Sequence, residues 1–428
     1  MKIVIANRNY FVTGGPEKYM FTLMENMPQH EFIPFCVAFE QNRETPYSRY
    51  FVEPPAGQGS VYYSDFKMSP FRKIAYAFNS VYHWEARRKL ERLIVDERPD
   101  LVLCLNAVYF SDSIIDACRL HKVPVICRLS DFHRVCANYL LYRDGHTCEE
   151  CLEYGLIRAI RNQCGGYQRS RAAACIKVAG MWLSRLRRLY DHVDFFVAPS
   201  EFTRGKMIQG GFDAQKVVHV PTMAASTSDP SVPGTQDILF VGRLSPEKGV
   251  DTLLAAFGQL RNGQAVLSIV GDDTTAYAKQ LKEDIPEEIR NRVVFHGFQN
   301  AEQVNALYER SFCFVVPSVW FENQPNTVLE GMSHGRPAMV SDLGSLREMV
   351  EDGVTGYRFE ASNARDLASK LDRLLSDPRR AHEMGLRGRD HVVATHALHK
   401  HLASMDELFQ RCRERINPDE KTRIFGRQ

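Results

Sequence analysis

Short apolar runs rich in β-branched and aromatic residues recur along the chain, each followed by a longer stretch with apolar positions three and four apart. In the first half these runs are Ile3-Val4-Ile5, Leu101-Val102-Leu103, Val123-Pro124-Val125-Ile126 and Phe195-Phe196-Val197. Such alternation predicts βαβ units around a parallel sheet, since parallel neighbours need a long crossover that is usually a helix. The pattern breaks at 221–236, where Pro221, Pro230 and Pro233 stand among serines and threonines with almost nothing to pack; this reads as a linker. It restarts with Ile238-Leu239-Phe240-Val241, Val266-Leu267-Ser268-Ile269-Val270, Val293-Val294-Phe295, Phe312-Cys313-Phe314-Val315-Val316 and Pro337-Ala338-Met339-Val340. Leu253, Leu254, Phe257 and Leu260 mark one face of an amphipathic helix over 251–260. The expectation is an α/β chain of two doubly wound, Rossmann-like domains, 1–220 and 237–400, followed by a C-terminal helix and polar tail over 401–428. There is no fixed-period repeat, so a solenoid is not expected.

Composition narrows the class without changing this picture. With 428 residues, 44% hydrophobic and 25% charged, the chain suits a globular multidomain protein and excludes disordered and collagen-like ones. No run approaches the roughly 20 apolar residues of a membrane span, and the amino terminus enters a strand pattern without a signal-peptide region. Eleven cysteines in so long a chain point to a reducing cytoplasm rather than a disulfide scaffold. The net charge of +2 hides an asymmetry: residues 1–220 hold 29 basic and 23 acidic side chains, and the remainder 25 and 29. The basic half is suited to something anionic.

Two stretches carry chemistry. Strand ends followed by glycine and a helix are where open α/β sheets bind ligands, because helix N-termini offer unpaired N–H groups to anions. Val241-Gly242-Arg243-Leu244-Ser245-Pro246-Glu247-Lys248-Gly249 is such a junction. Gly242 lets the backbone approach a ligand, and Arg243 and Lys248 offer two cations to a diphosphate; the alternative is a turn with two solvated cations. In the second stretch a strand ends near Pro317, a loop carries Glu322, and a helix begins near Asn326 or Thr327, both fair N-caps. Glu330 then lies one turn into the helix, so two carboxylates with seven residues between them can flank one cavity.

With Gly335-Arg336-Pro337, Glu348 and Glu351-Asp352-Gly353-Val354-Thr355-Gly356 following in order, the sequence resembles the retaining family-4 glycosyltransferases of GT-B fold, whose two Rossmann-like domains face a central cleft. Thr13-Gly14-Gly15-Pro16-Glu17 resembles the family's glycine-rich acceptor-side loop. The resemblance implies a nucleotide-sugar donor (a UDP- or GDP-sugar) on the second domain and transfer to a saccharide or lipid-linked acceptor, as in bacterial surface polysaccharide or glycoconjugate synthesis. It implies that Arg243 and Lys248 neutralise the departing diphosphate without a catalytic metal. Glu330 takes the ribose hydroxyls, and the backbone of Asn323, Gln324, Pro325, Asn326, Thr327 and Val328 holds the sugar and distal phosphate. Glu322 contacts the sugar at the reacting centre, and Gly242, Gly271 and Gly297 belong to the same donor side.

On the acceptor side the resemblance assigns Gly14, Gly15 and Asp131, with His133 a further candidate. Many relatives carry a His where this chain has Ser130. That departure keeps two alternatives open, a non-catalytic nucleotide-sugar-binding subunit and a GT-B-type epimerase. Cys136, Cys148, Cys151 and Cys164 form a CxxC with two outlying cysteines, a spacing that suits a structural zinc of four thiolates; free buried thiols or disulfides are the alternatives. Leu156 to Tyr190 holds eight Arg or Lys and no Asp or Glu among apolar residues. This suggests peripheral contact with an anionic membrane at its inner face, against the plainer reading of a solvated basic helix face. No nucleic-acid module accompanies the charge.

Overall fold

The structure, a computed structural model, describes residues 1–54, 69–165, 169–224 and 235–415. Most of the expected linker and the tail beyond 415 therefore lie outside the described residues.

Two six-stranded, wholly parallel sheets form the molecule. In the first, the strands lie in the order Glu31–Phe35, Lys2–Ala6, Leu101–Cys104, Val125–Arg128, Val193–Ala198, Val217–His219. In the second the order is Val293–Phe295, Val266–Val270, Asp237–Val241, Cys313–Val316, Ala338–Ser341, Gly356–Phe359. Helices cover both faces, so the central strands are buried throughout and read as continuous apolar runs rather than alternating ones. Ile3, Ile5, Leu101, Leu103, Ile126 and Val197 pack one face of the first sheet, and Val4, Val102, Val125 and Phe196 the other. The expected pair of doubly wound domains is what the chain forms.

The second sheet runs, in its own chain order, 3-2-1-4-5-6. The order reverses between Asp237–Val241 and Cys313–Val316, and the crevice outside the carboxyl ends of such strands is where doubly wound folds bind ligands. Those two strands are the ones followed by the Gly242–Gly249 and Pro317–Glu322 loops. The corresponding point of the first sheet lies between Lys2–Ala6 and Leu101–Cys104, where Asn7 Oδ1 accepts the amide of Asn106 at 3.2 Å.

The last helix, Leu398–Glu414, does not stay with the second domain. Met405, Leu408, Phe409 and Cys412 are buried against Ile3, Ile5 and Tyr19 of the first. His401 bridges the return, with Nε2 2.8 Å from the Tyr19 hydroxyl and Nδ1 2.7 Å from the Pro221 carbonyl. The chain thus closes back on its starting domain, which ties the two halves together.

Candidate active site

At the rim of the second sheet, three glycines end three adjacent strands. Gly242 donates its N–H to the Val270 carbonyl at 3.0 Å, and Gly271 to the Gly297 carbonyl at 3.0 Å. A Cβ on Gly271 would stand 2.2 Å from the Gly242 oxygen, so only glycine permits this approach. The Gly242 loop then makes a short turn over Pro246–Lys248 and caps the helix Val250–Phe257 with Gly249 in the left-handed region, φ 66°. A Cβ there would lie 2.0 Å from the Pro317 carbonyl oxygen. Close packing at Gly249, with the Val319 N–H donating to the Glu247 carbonyl at 3.0 Å, brings the two motif loops together.

What they bring together is an ion pair. Lys248 Nζ lies 2.6 Å from Glu322 Oε1, with side chains only 18% and 7% exposed. The same oxygen accepts Ser318 Oγ at 2.6 Å and Trp320 Nε1 at 2.9 Å. The loop bends at Val319 and Trp320, which turns the side chains of 318, 320 and 322 onto one point. Burial opposes charge on Glu322, but Lys248 and the two neutral donors outweigh it and hold the carboxyl below the usual carboxylate range. Arg243 is more exposed and pairs with the buried Glu247 at 3.2 Å. Two cations thus stand on the loop at the switch point.

The helix Asn326–Ser333 begins one position earlier than an Asn326 or Thr327 cap requires. Pro325 occupies the cap with no side-chain bond, and Asn326 Nδ2 instead lies 3.3 Å from where a Gly15 Cβ would be. Gly14 and Gly15, at the start of the helix Gly15–Asn26, therefore face the helix Asn326–Ser333 across the crevice. Glu330 is partly buried, and burial raises its pKa, opposed only by Lys18 from the first domain. Thr327 offers its carbonyl to the Tyr308 hydroxyl at 3.1 Å, and Val328 is core.

Asn323 and Gln324, whose backbone is expected on the donor side, use their side chains to stitch the domains together. Asn323 Nδ2 donates to the Leu129 carbonyl at 2.7 Å, its Oδ1 accepts the Thr203 hydroxyl, and its carbonyl accepts Ser200 Oγ at 2.9 Å. Gln324 Oε1 accepts the Thr222 amide at 2.7 Å. Beside them Phe321 packs against Phe202 with tilted rings, centroids 4.8 Å apart, and joins the first domain's core.

On the first-domain side, Asp131 accepts both the His133 amide at 2.9 Å and the His133 ring Nδ1. His133 Nε2 is 2.7 Å from Arg134. Desolvation of Asp131 is outweighed by His133, so its pKa falls. Ser130, in the position where relatives carry His, lies 3.4 Å from Arg128, whose guanidinium stacks over Tyr19 at 4.1 Å and donates to Thr222 at 2.9 Å. The glycine loop is anchored by Glu17, 2% exposed, which accepts Asn7, Asn9 and Thr13 at 3.0–3.4 Å. A cavity of about 760 Å³, lined by Phe39, Asn42, Arg43, Ser48 and Phe51, opens beside Tyr10, which donates its amide to Asn42. Sequence reading assigned no role to Glu17, Ser318 or Trp320. The Ser-x-Trp-x-Glu spacing and the acidic first turn after Gly-Gly-Pro were the available signals.

The four clustered cysteines are free thiols in a small subdomain built from the hairpin Tyr142–Arg143/His146–Thr147 and the helices Glu150–Tyr154 and Ile157–Arg161. Burial raises the pKa of Cys136, Cys151 and Cys164, and their neighbouring thiols push the same way. Among the described residues no three His, Cys, Asp or Glu side chains are arranged to hold a metal ion, so the expected zinc is not shown.

With this geometry in place, comparison with known proteins is informative. Residues 227–391 match the Glycosyl transferases group 1 family. The matched stretch contains both motif loops and the Lys248–Glu322 pair. Over 170 residues the chain is 29% identical to lipopolysaccharide 1,2-N-acetylglucosaminetransferase of Salmonella typhimurium, covering 37% of this chain and 44% of that protein. It is 30% identical over 142 residues to alpha-D-kanosaminyltransferase of Streptomyces kanamyceticus, covering 33% and 36%. The chain therefore spans less than half the length of these curated relatives. Across the full architecture it is similar to sucrose-phosphate synthase of Thermosynechococcus elongatus, with a TM-score of 0.68, 17% identity and coverage of 96% and 98%. The fold is GT-B.

Proposed function

We propose that the protein is a retaining glycosyltransferase that moves a sugar from a UDP- or GDP-sugar to a saccharide or lipid-linked acceptor in bacterial surface polysaccharide or glycoconjugate synthesis. The observation that carries this reading is the buried Lys248–Glu322 pair at the switch point of a group 1 domain, with Arg243 on the same loop. Cleavage of a nucleotide-sugar leaves a second negative charge on the terminal phosphate of the diphosphate, and preorganised cations there stabilise the transition state more than the ground state. Lys248 and Arg243 supply that charge. Glu322, ionised through its three donors, fixes Lys248 in direction and presents its other oxygen toward the donor sugar. Glu330 receives the ribose hydroxyls: a carboxylate whose charge is disfavoured by burial gains most from two hydroxyl donors.

In a retaining reaction of this kind the sugar–phosphate bond breaks and the acceptor oxygen bonds to the anomeric carbon on the same face. The acceptor proton passes to the leaving phosphate, so the protein need not supply a base. Asp131 and His133 then serve to orient the acceptor. A cytoplasmic setting suits this donor chemistry. For the cysteine cluster we retain a structural zinc as part of the reading, supported by the CxxC spacing with two outlying cysteines in one small subdomain; metal analysis showing no zinc in the purified protein refutes it.

The test is release of nucleoside diphosphate from a panel of nucleotide-sugars, with NMR of the product's anomeric configuration. Lys248→Ala and Glu322→Gln should lose turnover while remaining folded. An inverted product refutes the retaining mode and leaves transfer standing.

A further inference from the structure

Beside the acceptor-side pair Asp131 and His133 stands a buried cation, Arg134, only 5% exposed. Its guanidinium lies against the Tyr190 and Phe196 rings, 5.9 and 5.6 Å from their centroids, and meets Asp112 at 3.7 Å. Nη2 donates to Cys127 Sγ at 3.4 Å, and Asp112 is itself held by the Tyr190 hydroxyl at 2.7 Å. Arg134 is thus anchored in the core of the first domain. Its Nη1 lies 2.7 Å from His133 Nε2.

That contact decides the state of the imidazole. A guanidinium has only N–H donors and no acceptor, so Nε2 must offer its lone pair. A protonated ring would set one N–H against another. The ring proton therefore sits on Nδ1, where Asp131 Oδ1 accepts it together with the His133 amide, the latter at 2.9 Å. Both bonds fall on one carboxylate oxygen. Oδ2 has no hydrogen-bond partner among the described residues, and the Asp131 side chain is 31% exposed. Just before it in the chain, the Leu129 carbonyl accepts Asn323 Nδ2 at 2.7 Å, which places this segment at the seam with the second domain.

We propose that Arg134 is a positioning residue of the acceptor side: by donating to Nε2 it holds His133 as a neutral ring protonated at Nδ1, and through that ring it fixes Asp131 with Oδ2 free to receive a saccharide hydroxyl. His133 is then a strut and not a base, because its one lone pair is already taken by a cation. The charged groups facing the ring are Asp131 and Arg134. Lys177, on the helix Arg171–Leu186, acts on Asp131, while Asp112, Cys127, Cys104 and Tyr190 act on Arg134. The inference rests on the acceptor-side reading of Asp131 given above.

The full-length protein, isotopically labelled in its histidines and without any substrate, gives the first test. Long-range proton–nitrogen correlation spectra report which ring nitrogen carries the proton, and the His133 signal is the one lost in His133→Gln. Wild type should show a proton on Nδ1 and none on Nε2, unchanged from about pH 8 to about pH 5. In Arg134→Met the ring is left beside Asp131 and should take up a second proton within that range. Arg134→Lys, again a donor without an acceptor, should keep the wild-type signature. With UDP- and GDP-sugars and a panel of saccharide acceptors, Arg134→Met should raise acceptor KM roughly tenfold or more and leave donor KM within about twofold; Arg134→Lys should recover most of that loss. A wild-type ring protonated on Nε2 at neutral pH overturns the proposal even where Arg134→Met does not fold. So does an unaltered acceptor KM in a folded Arg134→Met. Absence of transfer from every donor, with the Nδ1–H ring intact, overturns the sugar-transfer reading on which the acceptor role depends.

Discussion

Removing Lys248 separates a functional ion pair from a merely solvated one. In Lys248→Met, Glu322 keeps Ser318 and Trp320 as donors but loses the only cation within 2.6 Å, at a site where the carboxylate is 7% exposed. Breaking a buried pair from one side costs about 3–5 kcal/mol, since the remaining charge is left uncompensated. The two surviving hydrogen bonds return part of that, and a net loss of about 2–3 kcal/mol is expected. For a domain of this size that is a fall of roughly 4–12 °C in the melting temperature of the second domain. Glu322→Gln should be milder, about 1–2 kcal/mol, because the 18% exposed Lys248 can turn to water. The double variant should be more stable than the sum of the two losses. The pH dependence has a definite sign: Glu322 has a lowered folded pKa, so its contribution is present above the unfolded value of 4.5 and disappears as pH falls through the folded pKa. Calorimetric melts of wild type, both single variants and the double variant between pH 3 and pH 7 (about one unit apart) read all of this. Additive effects, or a Lys248→Met melt within a degree or so of wild type at neutral pH, would refute the reasoning.

Other outcomes follow from the same geometry. Gly249→Ala must push the Pro317 carbonyl aside and hold an alanine at φ 66°, so it should lower the melting temperature and remove donor binding together, as calorimetry on the same sample will register. Glu330 has a raised folded pKa, so the stability linked to its proton is complete below 4.5 and is lost as pH rises through the folded value. Glu330→Gln should accordingly raise the melting temperature at pH 7 while weakening donor affinity roughly tenfold or more in titration calorimetry. Asn323→Ala removes the bonds to Leu129 and Thr203 across the domain seam and should cost about 1–3 kcal/mol, with the crevice wider in small-angle scattering. Asp131→Asn should raise acceptor KM more than it lowers donor affinity, measured by separate acceptor and donor titrations.

The fold was legible because both sheets are buried on two sides: every central strand announced itself as a continuous apolar run. The strands missed were edges. Glu31–Phe35 contains Pro34, Val217–His219 is three residues long, and Gly356–Phe359 opens on glycine; edge positions tolerate such residues and so carry a weaker signal. At the site, Lys248 and Glu322 were identified separately, but their pairing needed the close approach of Gly249 to Pro317, which no local spacing encodes. The same holds for Asn323 and Gln324: their motif position points to backbone contacts with the donor, and no local signal marks the partners of their side chains, Leu129, Thr203 and Thr222, which lie 194, 120 and 102 residues away. The helix Pro70–Val81 carries an apolar stripe of ordinary helical spacing, and only the exposure of Phe71, Ile74 and Phe78 distinguishes it from a core face.

The most direct test is nucleoside diphosphate release across UDP- and GDP-sugars, with saccharide acceptors, for wild type and Lys248→Ala side by side. The account predicts turnover with at least one donor in the wild type, and a loss of roughly 100–1,000-fold when the cation is removed. A wild type that binds a nucleotide-sugar but never cleaves it, or a Lys248→Ala variant that cleaves it as fast, contradicts the central claim.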